Sequence, residues 1–148
     1  MMLKLILFIF LLFSVSSVAN EKNIYDFTVN KSKDWFVFAV GKSDSGEGLV
    51  YNAYNTKSVR DTGDVKTVEE IAMFEIEESI KDNNALKYKY ISTNIQIDCK
   101  NYKIRPLGVA AFYTIDRNLI GEVDNQDNHS WIEFAIGTTY DGLHKLVC

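Results

Sequence analysis

Proline is almost missing: Pro106 is the only one in 148 residues, and no Ser/Gly-rich stretch separates regions of different composition, so no domain boundary is marked after the amino-terminal segment. Histidine and cysteine are equally scarce, with two of each. His129 and His144 have no ligand-like spacing, and Cys99 and Cys148 form no Cys-x-x-Cys pair, so the usual signatures of a zinc site or a redox-active thiol are absent. Basic residues number 16 against 20 acidic ones, a net charge of −4, and they form no stripe, which argues against nucleic-acid binding. The glycine-bearing stretch Gly41 to Gly48 lacks the closing Gly-Lys-Ser/Thr of a phosphate-binding loop and reads as a connection between strands. After the apolar run Leu5 to Phe13, no second run of comparable length occurs.

That first run has the form of a secretory signal peptide. Lys4 precedes the apolar core, and Ser17 and Ala19 supply the small residues that a signal peptidase accepts, placing the cut between Ala19 and Asn20. The core is about half of the roughly 20 residues that a spanning helix requires. No cysteine lies near the cut, so no lipid attachment site is present there and no membrane anchor is expected. The expected organisation is a signal peptide over residues 1–19 and one domain over 20–148, carrying 15 Lys and Arg against 20 Asp and Glu. The protein is then exported: periplasmic, secreted or associated with the cell surface.

Export changes what the cysteines mean. In an oxidising compartment two thiols of one small domain become a disulfide, and Cys99 to Cys148 is the only intrachain pairing. Closing a loop of about 50 residues contributes roughly 4 kcal/mol in the chain-entropy model.

The periodicities are mostly those of strands. Trp35 to Val40 and Gly48 to Tyr54 are short, aromatic and β-branched, with Gly and Ser at their ends. Thr67 to Ile80 is ambiguous, because Val68, Ala72, Ile76 and Ile80 recur at helical spacing while Glu70, Ala72, Phe74 and Ile76 alternate as in a strand. Leu86, Tyr88 and Tyr90 alternate in one phase, then Ile91, Ile95, Ile97 and Cys99 in the other. A period-2 strand changes its buried face only through a bulge or twist, so one is expected near Tyr90 and Ile91. Cys99 shares the parity of Ile95 and Ile97 and belongs on the apolar side. Asn101 to Asp116, a turn around Asp116 to Asn118, and Leu119 to Val123 read as a hairpin, with Pro106 at a bulge or an edge.

The carboxy-terminal piece changes period. Tyr140, Leu143 and Val147 fall at i, i+3 and i+7, the apolar face of a short helix, with Thr138 as its cap and Asp141 completing a capping box. A helix of about three turns is marginal alone in water. A bridge from Cys148 to a strand would hold it.

With these elements in order, the chain resembles the surface-adhesin protein E family of Gram-negative bacteria. The features carrying the resemblance are the early Trp35, the stretch Leu49 to Glu75, the Asp98-Cys99 pair followed by Tyr102 to Arg105, Trp131 before the last helix, and the terminal Cys148. The resemblance implies an α+β fold, mainly β: a curved antiparallel sheet with a carboxy-terminal helix tied to it by the Cys99–Cys148 disulfide. It also favours the strand reading of Thr67 to Ile76. By the same resemblance the protein binds host extracellular-matrix and plasma proteins, or, as the alternative, haem or another envelope component. The family's best-known adhesin is a lipoprotein, and the missing cysteine at the cleavage site departs from it.

Neither sequence nor resemblance points to catalysis. Ser130 beside His129 belongs to an extended segment whose neighbours point apart, and no further residue completes a nucleophile, base and orienter. The protein is expected to be no enzyme, with no metal site and no cofactor beyond the haem that the resemblance raises. For partner binding, Lys87, Tyr88, Lys89 and Tyr90 interleave cationic and aromatic side chains and form the candidate surface stripe.

Overall fold

The structure, a computed structural model, describes residues 34–80, 83–124 and 130–148. The expected signal peptide, its cleavage point at Ala19 and Asn20, and His129 lie outside the described residues. The described residues form one curled antiparallel sheet and one helix. Strands β1 (Trp35–Lys42), β2 (Leu49–Asn55), β4 (Val65–Ile80), β5 (Asn83–Asp98), β6 (Lys103–Tyr113) and β7 (Leu119–Asp124) lie in the order β1-β2-β4-β5-β6-β7. Two short strands, β3 (Arg60–Asp61) and β8 (Ile132–Glu133), pair with β4 and β6 respectively. Helix α1 spans Thr139–Val147.

The ambiguous segment is a strand, and burial explains its mixed pattern. Along β4, Val68, Glu70, Ala72 and Phe74 are buried on one face, and Ile71 and Met73 on the other. A strand covered on both sides reads as a continuous apolar run, so its period of 2 is lost. Register breaks interrupt the two 16-residue strands β4 and β5. β4 advances from Met73 to Glu78 while β5 moves only from Tyr90 to Tyr88. β6 runs from Leu107 to Ala111 while β5 covers Asn94 to Ser92. The first break lies beside the expected change of phase and has its consequence: Tyr88 and Ile91 pack on one face against Val50, Ala72 and Phe74, while Tyr90 packs on the other against Met73 and Tyr51. Pro106 faces Ile95 of β5 in the part of β6 between the stretches that pair with β8 and β7, two residues before Gly108 at φ +62.

One sheet face carries the main core. Tyr54, Val68, Ile95, Ile97 and Ile104 close around Leu143 of the helix, with Phe38, Phe134, Tyr140 and Val147 packed at the margin. Fully burying a side chain such as Leu143 is worth about 1.5–3 kcal/mol. The helix start departs from a capping box. Thr138 makes no side-chain cap; its hydroxyl donates to the Ala135 carbonyl at 2.7 Å. Asp141 reaches past it, accepting from the Gly137 N–H at 2.8 Å and pairing with Lys145. The carboxylate still meets the positive end of the helix dipole, one residue earlier than the box would place it.

The disulfide joins Cys99, just beyond the end of β5, to Cys148 after the last turn of α1, with Cα atoms 5.6 Å apart and a sequence separation of 49. Replacing both cysteines by serine should lower stability by about 2–5 kcal/mol. In chemical denaturation the midpoint should fall while far-ultraviolet circular dichroism loses helical signal before sheet signal. An unchanged midpoint would mean that packing around Leu143 alone holds the helix.

Candidate functional site

The face turned away from α1 is built from cross-strand rows. One row, Tyr51–Met73–Tyr90–Tyr113–Leu119, crosses five strands and is aromatic or apolar throughout. The next row, Ala53–Ile71–Ser92–Ala111, is made of small residues apart from Ile71. Beyond it Glu69 pairs with Asn94, and Asn55 donates from its side-chain amide to the Glu69 carboxylate at 3.1 Å. Large side chains beside small ones leave a channel. It is a groove of about 210 Å³ lined by Ile71 and Ser92, the aromatic Trp35, Tyr90 and Tyr113, and the charged Glu69 and Arg117.

Each wall has a local cause. Trp35 opens β1, the outermost strand, and pairs with Asn55. Tyr90 and Tyr113 are direct cross-strand partners, a pairing that contributes roughly 0.2–1 kcal/mol to a sheet. Arg117 lies in the β6–β7 turn with φ +65, where its N–H donates to the Thr114 carbonyl at 2.9 Å. Burial raises the Tyr90 phenol above its ordinary value of 10.0, with nearby Arg117 working against that shift and Asp116 adding to it. The phenol stays neutral at physiological pH and keeps both its donor and its acceptor. Further along the same face, Arg105 donates to the Gln96 side chain at 2.7 Å, and its guanidinium lies 4.5 Å from the Trp131 ring centroid. This places a cation and an aromatic ring in contact there.

The four residues of the candidate stripe do not share one surface. Lys87 is exposed. Tyr88 turns to the helix-side face and packs edge-on between Phe74 and Phe112, at centroid distances of 5.3 and 5.1 Å. The ammonium of Lys89 donates to the Glu75 carbonyl. Tyr90 alone reaches the groove. Trp35, Tyr113 and Arg117 are not singled out as a group by the sequence, since Trp35 and Tyr113 are 78 positions apart and only the sheet order brings them together.

His144 lies on the opposite side of the sheet, 9% exposed, with Nε2 at 3.0 Å from the Cys99 carbonyl oxygen. Its ring stacks on Tyr102 at 4.3 Å and meets Phe134 at 5.7 Å. A carbonyl can only accept, so Nε2 carries the proton. These contacts join the imidazole to the β5–β6 turn.

A family model for surface-adhesin protein E matches residues 39–148. The chain belongs to the surface-adhesin protein E family. No curated protein and no solved structure matches it. Membership accounts for a sheet-built domain with a surface or exported role, and no helix among the described residues is long and apolar enough to cross a membrane.

A neighbouring pair of glutamates shows how differently the two faces treat charge. Glu69 points to the groove and is met by Asn55, whereas Glu70 points under α1, is 4% exposed, and has its carboxyl pushed up from 4.5 to about 8 by burial. The unfolded chain would ionise Glu70 near 4.5 while the fold holds its proton to about 8, so the native state binds more protons in between. Stability should therefore fall as pH rises from about 4.5 to about 8 and then level off. Glu70→Gln should raise stability at pH 8 by on the order of a few kcal/mol and flatten that decline. Thermal melts across this range test it; a wild-type melting temperature rising steadily from pH 5 to 8 would contradict it.

Proposed function

We propose that this protein is an exported, non-enzymatic binding domain that attaches to host extracellular-matrix or plasma proteins through the groove face. Its family supports a surface-adhesin role, and the groove of Tyr90, Tyr113 and Trp35 is the observation that carries the finer reading. Tyrosine, tryptophan and arginine dominate the few residues that supply most of the energy in protein interfaces, because they offer large rigid contact area with a polar end. The groove presents these types around a recess that a carboxylate and an arginine also line. A protruding side chain of a protein partner would enter the recess, while Arg105 and Trp131 extend the contact surface.

Size favours a protein partner over haem. At about 210 Å³ the groove is smaller than the roughly 300–1,000 Å³ of sites that enclose a small-molecule ligand. His144, the imidazole among the described residues, has its ring stacked on Tyr102 and its Nε2 at the Cys99 carbonyl. The domain acts on its partner by contact.

Binding of the residue 20–148 domain to a panel of immobilised matrix and plasma proteins, run beside a haem titration, tests the reading. Tyr90→Ala and Tyr113→Ala should each weaken capture by about tenfold, and Lys87→Ala should leave it within about twofold. Haem binding in place of protein capture, or capture indifferent to both tyrosines, would contradict the assignment.

A further inference from the structure

The disulfide has a third chemical neighbour. Cys99 Sγ, Cys148 Sγ and one ring nitrogen of His144 lie within 4.8 Å of one another. We propose that, when the bridge is reduced, these three side chains form a binding site for a soft divalent cation of the zinc class. Zinc bonded to sulfur at about 2.3 Å and to imidazole nitrogen at about 2.0–2.1 Å holds its donors roughly 3.6–3.8 Å apart in tetrahedral geometry. The three atoms lie within 4.8 Å with the sulfurs bonded to each other, so parting the sulfurs on reduction is the movement that makes this triangle.

The surroundings of His144 support the same assignment independently. Its Nε2–H faces the Cys99 carbonyl at 3.0 Å, so ligation through Nδ1 keeps that hydrogen bond and ligation through Nε2 exchanges it for the metal. A histidine that donates one ring N–H to a backbone carbonyl while offering the other nitrogen is the usual arrangement around a metal. The ring is also fixed in orientation: Tyr102, held at φ +54, stacks on it at 4.3 Å, and Phe134 closes at 5.7 Å. A non-glycine residue in the left-handed region carries a backbone cost, accepted here in the turn that carries Cys99. The anchors come from two elements, the β5–β6 turn and the last turn of α1, where the Cys148 N–H donates to the His144 carbonyl at 2.9 Å. A metal would then join the same two elements as the disulfide does.

The chemistry balances with a dithiol as reductant. Its thiolate attacks one sulfur of the bridge, the S–S bond breaks, and the mixed disulfide resolves to oxidised reductant and two protein thiols, a transfer of two electrons and two protons. Zinc then displaces both thiol protons into solvent while His144 binds as neutral imidazole. Cys148 is exposed at the helix end, where a reductant can reach it. The metal form belongs to the newly exported chain before oxidation, or to any reducing environment it later meets; the disulfide form leaves no sulfur free to ligate.

The test uses the residue 20–148 protein, reduced with dithiothreitol, freed of it under nitrogen and titrated with zinc chloride against a chromogenic chelator. One zinc per chain is expected on the reduced protein and none on the oxidised protein, and cobalt(II) should give a sulfur-to-metal charge-transfer band. His144→Asn should weaken zinc at least tenfold, and Cys99→Ser with Cys148→Ser should abolish binding. Because His144 is part of the packing, the wild-type protein gives a second reading: its imidazole proton resonances should shift on zinc addition. Equal zinc binding by oxidised and reduced protein, no cobalt–sulfur band, or imidazole resonances unmoved by bound zinc would each overturn the proposal.

Discussion

The covalent joint between Cys99 and Cys148 is the constraint on which the rest of the architecture depends. A nine-residue helix does not persist on its own in water, yet Leu143 from that helix fills the centre of the main core. The disulfide removes the problem by making the helix end and the β5–β6 turn a single unit, so that burial of Tyr140, Leu143 and Val147 adds to a contact already formed. His144 reinforces the joint by hydrogen-bonding the backbone of the cysteine to which the helix is tied.

Because the helix covers one side of the sheet, the other side is left for contact. The two faces differ in chemistry as well as position. Under the helix, Glu70 is kept from water and Asn52 has neither side-chain polar atom hydrogen-bonded, the kind of cost a fold carries only where packing is strong around it. On the groove face the polar groups are met: Glu69 by Asn55, Arg105 by Gln96 and Trp131. A surface whose charged groups are already positioned loses less side-chain entropy when a partner arrives. The register break that sends Tyr88 inward and Tyr90 outward makes this division possible, since it lets one strand supply aromatics to both faces.

Much of this was legible in the residues themselves. Trp35 to Val40 and Gly48 to Tyr54 announce strands by composition, the change of phase at Tyr90 and Ile91 announces a bulge, which the fold places between Tyr88 and Tyr90, and Tyr140, Leu143 and Val147 announce the helix. The disulfide follows from export and cysteine count. Thr67 to Ile80 was undecidable by periodicity because both faces of β4 are buried, which erases the signal that separates helix from strand. The groove was hidden for a different reason: Trp35, Tyr90, Tyr113 and Arg117 come from separate strands and a turn, and a cross-strand row has no signature along the chain. The place of His144 was hidden likewise, because a histidine in the last turn of a helix has an ordinary explanation in the dipole, and nothing local connects it to a carbonyl 45 residues earlier.

The central claim is that the helix side holds the domain together and the groove side does the binding. Hydrogen-exchange footprinting of the domain, free and bound to a matrix or plasma protein that it captures, measures this most directly. The account predicts new protection at the β5 and β6 segments around Tyr90 and Tyr113 and in the turn at Arg117, with the amides of α1 unchanged. Protection confined to α1 and the Tyr102 turn, with the groove strands unaffected, would contradict it.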